Sequence, residues 1–230
     1  MNKIMVFLRG PSGMPRDAFQ QLVLARARAG LPEPLARDPM TVNLVYLPFA
    51  RLPYRPPNDT SAGKAPEYDA IVEAWGRRDQ AAIAADLLAG FGARASAFHA
   101  YAVTATQLYH RREFARGQPS DGIKLIGRLM FHADLPDSAA RRSWGLHAPL
   151  AARVHVGSAR YVQNWVDRVL MEASPQARGI PIMHFPSEHD FFEGFADSPR
   201  GMDEIIQDTA HFVAGGPRCY TAEYVVRDGP

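Results

Sequence analysis

Apolar positions recur in two registers along this chain. Short runs with near-continuous or alternating hydrophobicity read as strands: Lys3 to Leu8, Tyr68 to Trp75, Phe98 to Tyr109, Ile123 to His132, Tyr161 to Trp165, Gly179 to Phe185 and Cys219 to Arg227. Between them lie longer stretches with helical spacing, two of which open at a proline, Pro15 and Pro136, whose missing N–H costs nothing in a first turn. Within Ile123 to His132, Lys124, Ile126, Arg128, Met130 and His132 share one face, and Ile123, Leu125, Gly127, Leu129 and Phe131 the other. The second face is apolar and should meet helices, so the first should look into the fold. Pro149, inside the second helical stretch, is expected to end or kink it.

The pattern repeats. Lys3 to Leu8 can be laid on Lys124 to Leu129, and the same displacement carries Met14-Pro15 onto Leu135-Pro136. Tyr68 to Trp75 and Gly179 to Phe185 occupy the third-strand place of each half, and Phe98 to Tyr109 and Cys219 to Arg227 the closing strand. Each half therefore reads β-α-β-β-α-β, the ferredoxin-like unit, whose antiparallel sheet leaves one face in need of a partner. The expected fold is α+β: two tandem ferredoxin-like repeats, residues 1 to 117 and 118 to 230, pairing their sheets into an intramolecular α+β barrel.

Composition narrows the classes of function. With 230 residues and 47% hydrophobic content the chain can bury a large core. Its 26 basic and 24 acidic residues are scattered, which argues against nucleic acid. The single Cys219 allows no internal disulfide and fits a buried strand residue in a reducing compartment. The N-terminus reads as a strand rather than a signal peptide, and no apolar run approaches the roughly 20 residues of a membrane span, so the expected location is cytoplasmic. Prolines and glycines cluster in Leu52 to Pro66 and Ala173 to Pro181, as connections. No Gly-rich phosphate loop, GxSxG elbow or cysteine nucleophile occurs.

The segment Trp144-Gly145-Leu146-His147-Ala148-Pro149, followed by Tyr161-Val162-Gln163-Asn164, resembles the Trp-x-x-His-Ala-Pro and Tyr-Val-x-Asn signatures of the EthD family. Asp208 to Val213 and Tyr68 to Trp75 also resemble that family. In the first half Val23 and Arg26 stand where Trp144 and His147 would be, so the resemblance implies a degenerate first repeat and one asymmetric site. It implies a ferredoxin-like half of a dimeric α+β barrel and a cofactor-independent enzyme with no metal. Such an enzyme would be a lyase working by acid and base (elimination, retro-aldol cleavage, decarboxylation or dehydration) on a small aromatic or phenolic compound, with isomerase or cyclase as the next classes.

Candidate catalytic residues are His147, His184, His132 and Arg128, the last as an anion clamp; Tyr161, Trp165, Lys124, Trp75, Tyr46 and Tyr101 are candidate walls. Each histidine has a structural alternative. His147 could hydrogen-bond a carbonyl freed by Pro149, His184 could be a satisfied core residue, and His132 could already lie in a loop. Glu188, His189 and Asp190 after Ser187 fit helix capping better than a metal site. Two other functions compete: a haem enzyme with an axial histidine, since tandem barrels occur among chlorite dismutases, dye-decolourising peroxidases and aldoxime dehydratases, and a non-catalytic accessory protein of a degradation pathway. A homodimer is compatible with the reading but is not needed to cover the sheet.

Overall fold

The computed structural model describes every residue except 30, 32–34, 47–51, 54–56, 62, 114–116 and 228–230. Part of the Leu52 to Pro66 connection, Tyr54 included, lies outside the described residues, as do the residues just before the expected boundary at 117. In chain order the elements are β1 (Asn2–Arg9), α1 (Arg16–Ala29), β2 (Met40–Tyr46), β3 (Ala70–Gly76), α2 (Gln80–Phe91) and β4 (Ala97–His110). Then come β5 (Ile123–Gly127), β6 (Met130–Phe131), α3 (Asp137–Val154), β7 (Arg160–Val169), β8 (Gly179–Phe185), α4 (Glu188–Glu193), α5 (Pro199–Ala210), β9 (Val213–Gly215) and β10 (Arg218–Arg227).

Eight strands close into an antiparallel barrel in the order β1-β3-β2-β10-β5-β8-β7-β4. The seams are β2 with β10 and β4 with β7, so the edges left by each group of four strands are paired with the other. This closure explains why the strands read as hydrophobic runs, since both of their faces are covered. On β1, Ile4, Val6 and Leu8 pack outward with Phe19 and Val23 of α1 and Leu87 of α2. Met5 and Phe7 point inward to Ile71, Tyr101, Ile126, Ile180 and Ile182. On the other side Leu125, Met183, Phe185 and Tyr220 pack outward with Phe191 and Ile205.

Two expectations about local structure are corrected. Ile123 to His132 is not one strand: β5 ends at Gly127, and β6 pairs separately with β9. The break follows from Arg128 N–H donating to the Pro217 carbonyl and Leu129 N–H to the Gly179 carbonyl, which takes the chain out of the ladder. Pro149 does not end its helix, because α3 runs on to Val154. One face of that helix, Ala140, Trp144, His147, Ala151 and Val154, is buried, and Gln163 donates to the Trp144 carbonyl from the sheet below. Packing outweighs the single hydrogen bond the proline removes. Among the described residues no helix is long and apolar enough to cross a membrane.

Candidate active site

The residues singled out from the sequence fall into separate neighbourhoods rather than one. His147 lies on the buried face of α3, where that helix and α5 cover the outer side of the second-half strands. A cavity of about 90 Å³ opens there, with Trp144, His147, Tyr161, Met183, Met202 and Phe212 in its lining. His147 is only 6% exposed. Its Nδ1 is 2.7 Å from the Asp208 carboxylate near the end of α5, which corrects the expectation that the ring serves a carbonyl freed by Pro149. Burial lowers the His147 pKa, and the Asp208 hydrogen bond only partly opposes this.

The ring is therefore neutral at neutral pH. Nδ1–H donates to the carboxylate, leaving a lone pair on Nε2, for which the described residues provide no hydrogen-bond partner. The ring also stands edge-on to Phe212 at 5.8 Å.

The Tyr161 hydroxyl accepts from Trp144 Nε1 at 3.2 Å and from Gln163 Nε2 at 3.3 Å. Its own proton is left to donate, and burial pushes its pKa up to about 12, so it stays a phenol. Trp165 shares the outer face but stands behind the cavity, packed with Phe131 at 5.6 Å and Trp144 at 6.5 Å. His155, also at the cavity, is held by the Phe195 carbonyl and pushed down to about 4 by burial.

Inside the barrel, at the end where β1 and β5 begin, lies a buried ionic network. Lys124 bridges Glu73 at 2.5 Å and Glu223, while Lys3 reaches Glu73 at 2.7 Å and Asn164 at 2.8 Å. Arg160 donates to Glu223 at 2.5 Å and to His184 Nδ1 at 3.0 Å. His184 Nε2 in turn meets the Asp121 carbonyl at 3.0 Å. Both nitrogens of His184 are thus engaged, the arrangement of a satisfied core histidine, and burial pushes it down to about 3 despite the neighbouring Glu223. Burial alone would raise Glu223, but Lys124 and Arg160 hold it down at about 2. Lys124 is tied up in the same network, and the Lys3 ammonium lies over the Trp75 ring at 4.9 Å.

Arg128 and Tyr101 sit at the opposite end of the barrel interior, across the sheet from His147. There Arg128 donates to the Tyr68 hydroxyl, which hydrogen-bonds His99 Nδ1 at 2.8 Å, while Tyr101 donates to the Pro175 carbonyl at 2.7 Å. Arg128 is therefore no clamp for a molecule held at His147. Tyr46 packs outward beside the cluster of Tyr220 and Phe191.

His132 is corrected as well. It follows β6 in a loop, where its Nε2 meets the Ala210 carbonyl at 2.9 Å, and it does not enter the barrel. Ser187 accepts from Asp190 N–H at 3.0 Å, a helix N-cap. Buried Cys219 has its thiol pushed up to about 12.

Sequence reasoning missed Asp208 as the partner of His147, and Glu73, Glu223 and Arg160 as partners of Lys124 and His184. The second group carried a signal: acidic residues at inward positions of otherwise apolar strands must pair with cations.

No protein-family model and no curated protein matches this chain. Solved structures do. An anthrone oxidase-like protein is 12% identical with a TM-score of 0.59, covering 98% of this chain and 91% of that one. A candidate monooxygenase from Fusobacterium nucleatum is 8% identical with a TM-score of 0.57, over 96% of this chain and 91% of that one. A mutant chlorite dismutase from Candidatus Nitrospira defluvii is 10% identical with a TM-score of 0.51, over 96% of this chain and 90% of that one. At these identities the likeness is one of fold, a mixed α+β architecture with a large antiparallel sheet.

The free Nε2 of His147 would suit an axial ligand, but its cavity of about 90 Å³ is far below the roughly 300 Å³ at which pockets for cofactor-sized molecules begin. The His147 cavity does not fit a haem.

Proposed function

We propose that this chain is a cofactor-independent enzyme that moves a proton on a small, largely apolar substrate, with His147 as general base and Asp208 as the group that orients it. The observation that carries the reading is the geometry of the imidazole, held by a carboxylate on one nitrogen and without a hydrogen-bond partner among the described residues on the other, at a mainly apolar cavity that Asn58 and Arg218 also line. Burial lowers the pKa of this base, which favours its unprotonated form, and it works against a low-dielectric wall, where a developing anion would be stabilised by the Tyr161 O–H. Proton removal of this kind starts eliminations, retro-aldol cleavages, decarboxylations and isomerisations, and lyase is the class we favour. Enzyme names among proteins of like fold are analogy of fold and do not select the reaction.

Substrate size follows from the cavity. A dry cavity of about 150 Å³ takes a benzene ring. The present 90 Å³ is smaller, but two of its walls are the flexible thioethers of Met183 and Met202, whose rotation would admit a single phenolic ring. The residue pattern around Trp144 and His147 supports kinship with the EthD family, and the sheet order supports a tandem duplication with units at 1–117 and 118–230. Within each group of four strands the order is fourth, first, third, second, as β4-β1-β3-β2 and β10-β5-β8-β7.

The test is deuterium exchange from solvent into the acidic C–H positions of a panel of small phenols and aryl ketones, followed by proton NMR. The native chain should catalyse exchange. His147→Gln should lower the rate by roughly 10²-fold or more, the usual weight of a general base. Asp208→Asn, which can present an amide N–H and favour the wrong tautomer, should lower it in the same direction. Exchange that survives His147→Gln unchanged would sink the assignment.

A further inference from the structure

The barrel interior is filled unevenly. One end is plugged by the ionic network, the middle by Met5, Ile71, Ile180 and Ile182, and the end formed by the close of β1 and β5 and the start of β10 is open. There a cup of about 320 Å³ is floored by Phe7, Ile126 and Cys219 and rimmed by the chain before β3. This lies within the size range of small-molecule pockets, and it exceeds the His147 cavity severalfold.

Its charge is one-sided. Arg9, Lys64 and Arg128 line the cup together with Arg218, which also borders the His147 cavity, and Glu67 is the one acidic residue among the described lining residues. Arg128 is the buried member, 10% exposed at its side chain, and its Nη1 donates to Tyr68 while its Nη2 meets the Glu67 carboxylate at 3.0 Å. Glu67 itself is 38% exposed at its side chain, so it sits at the rim and can swing into solvent. Arg9 donates to the Glu67 main-chain carbonyl and does not hold that carboxylate. The Tyr68 hydroxyl accepts from Arg128 and is hydrogen-bonded to His99 Nδ1, which leaves the guanidinium aimed by a fixed chain of hydrogen bonds. A preorganised guanidinium in an apolar, cation-rich cup is matched by a planar anion on an apolar body.

We propose that this cup is a second binding site, separate from the His147 cavity, for a small organic carboxylate that takes the place on Arg128 now held by Glu67. The Glu67 carboxylate is the chain's own stand-in for the ligand's head group, and Phe7 and Ile126 receive its apolar body. The site does not depend on the reaction proposed for His147.

Isothermal titration calorimetry at low salt, with benzoate, its neutral counterpart benzamide and inorganic phosphate as probes, tests this. Benzoate should bind the native chain and the His147→Gln variant equally, and benzamide and phosphate should not. Glu67→Gln removes the internal competitor without touching the interior and should tighten benzoate roughly tenfold, the weight of a charged hydrogen bond. Arg128→Gln should weaken it by a similar factor or more. Thermal melting checks that this variant folds, and the Glu67 result stands without it.

No benzoate binding, binding of benzamide or phosphate as tight as that of benzoate, or a Glu67→Gln affinity that is unchanged or weaker would each overturn the proposal. Loss of benzoate binding in His147→Gln would put the ligand in the other cavity, overturning this site while leaving the base intact. Conversely, benzoate binding with no proton exchange would leave this site standing alone.

Discussion

A histidine's use is decided by what its two nitrogens touch, and the four ring systems near the candidate sites divide on that ground. His184 has both nitrogens engaged, His155 is pinned to a carbonyl, and His132 serves the end of α5 from a loop. Only His147 combines a carboxylate on Nδ1 with an unpartnered Nε2 at a cavity. The sequence named all of these but His155 and could not rank them, because partners such as Asp208 arrive from distant positions. Glycine at 216 is another residue whose reason is spatial. Its φ of 155° lies at the edge of the left-handed region, and a Cβ there would stand 1.9 Å from the Arg128 carbonyl oxygen. Gly216→Ala should therefore destabilise the fold by about 2 kcal/mol or more, read as a lowered urea midpoint, since main chain rather than a flexible side chain must move.

Elements were legible where periodicity was long and unbroken, as in Gly179–Phe185, which the sequence bounds match. They were not where a rule of local geometry met tertiary packing. Pro149 should break a helix in isolation, yet the buried face of α3 carries the helix five residues beyond it. Ile123 to His132 alternates like a strand, but the turn around Gly216 takes Arg128's N–H through the Pro217 carbonyl and divides the run.

Helix α5 positions Asp208, and its start depends on Ser198, whose hydroxyl accepts from Gly201 N–H at 3.0 Å. Ser198→Ala should cost about 1 kcal/mol of stability while leaving the His147 contact intact, because that contact lies near the other end of the helix. Circular dichroism melts and the exchange rate, measured on the same sample, check both halves of that expectation.

For the whole molecule, a large antiparallel sheet was legible in the strand patterns, whereas the ionic plug was not, because its six main members come from six strands. Lys124 bridges Glu73 and Glu223 at 2% side-chain exposure, so Lys124→Met leaves two buried carboxylates short of a partner. Loss of one partner from such a set costs about 3–5 kcal/mol.

The plug also sets the response to acid. Glu223 is held down at about 2 against an ordinary 4.5, and His184 at about 3 against 6.5. Both folded-state values are depressed, so the unfolded chain binds more protons as acid is added. Stability from these groups is full above pH 6.5 and is lost as the pH falls through about 3 and then 2. Urea midpoints should decline steadily over that window, and a flat profile would contradict the network's weight.

On the proposed function, the Nε2 of His147 is an unprotonated base at the cavity lined by Trp144, Tyr161 and Phe212. Nitrogen-15 NMR of histidine-labelled protein at neutral pH, with and without phenol, reads it directly. We predict one neutral imidazole with its proton on Nδ1, whose Nε2 resonance moves on adding phenol and whose signals vanish in His147→Gln. A His147 signal that is protonated on both nitrogens, or that ignores phenol at saturating concentration, would contradict it.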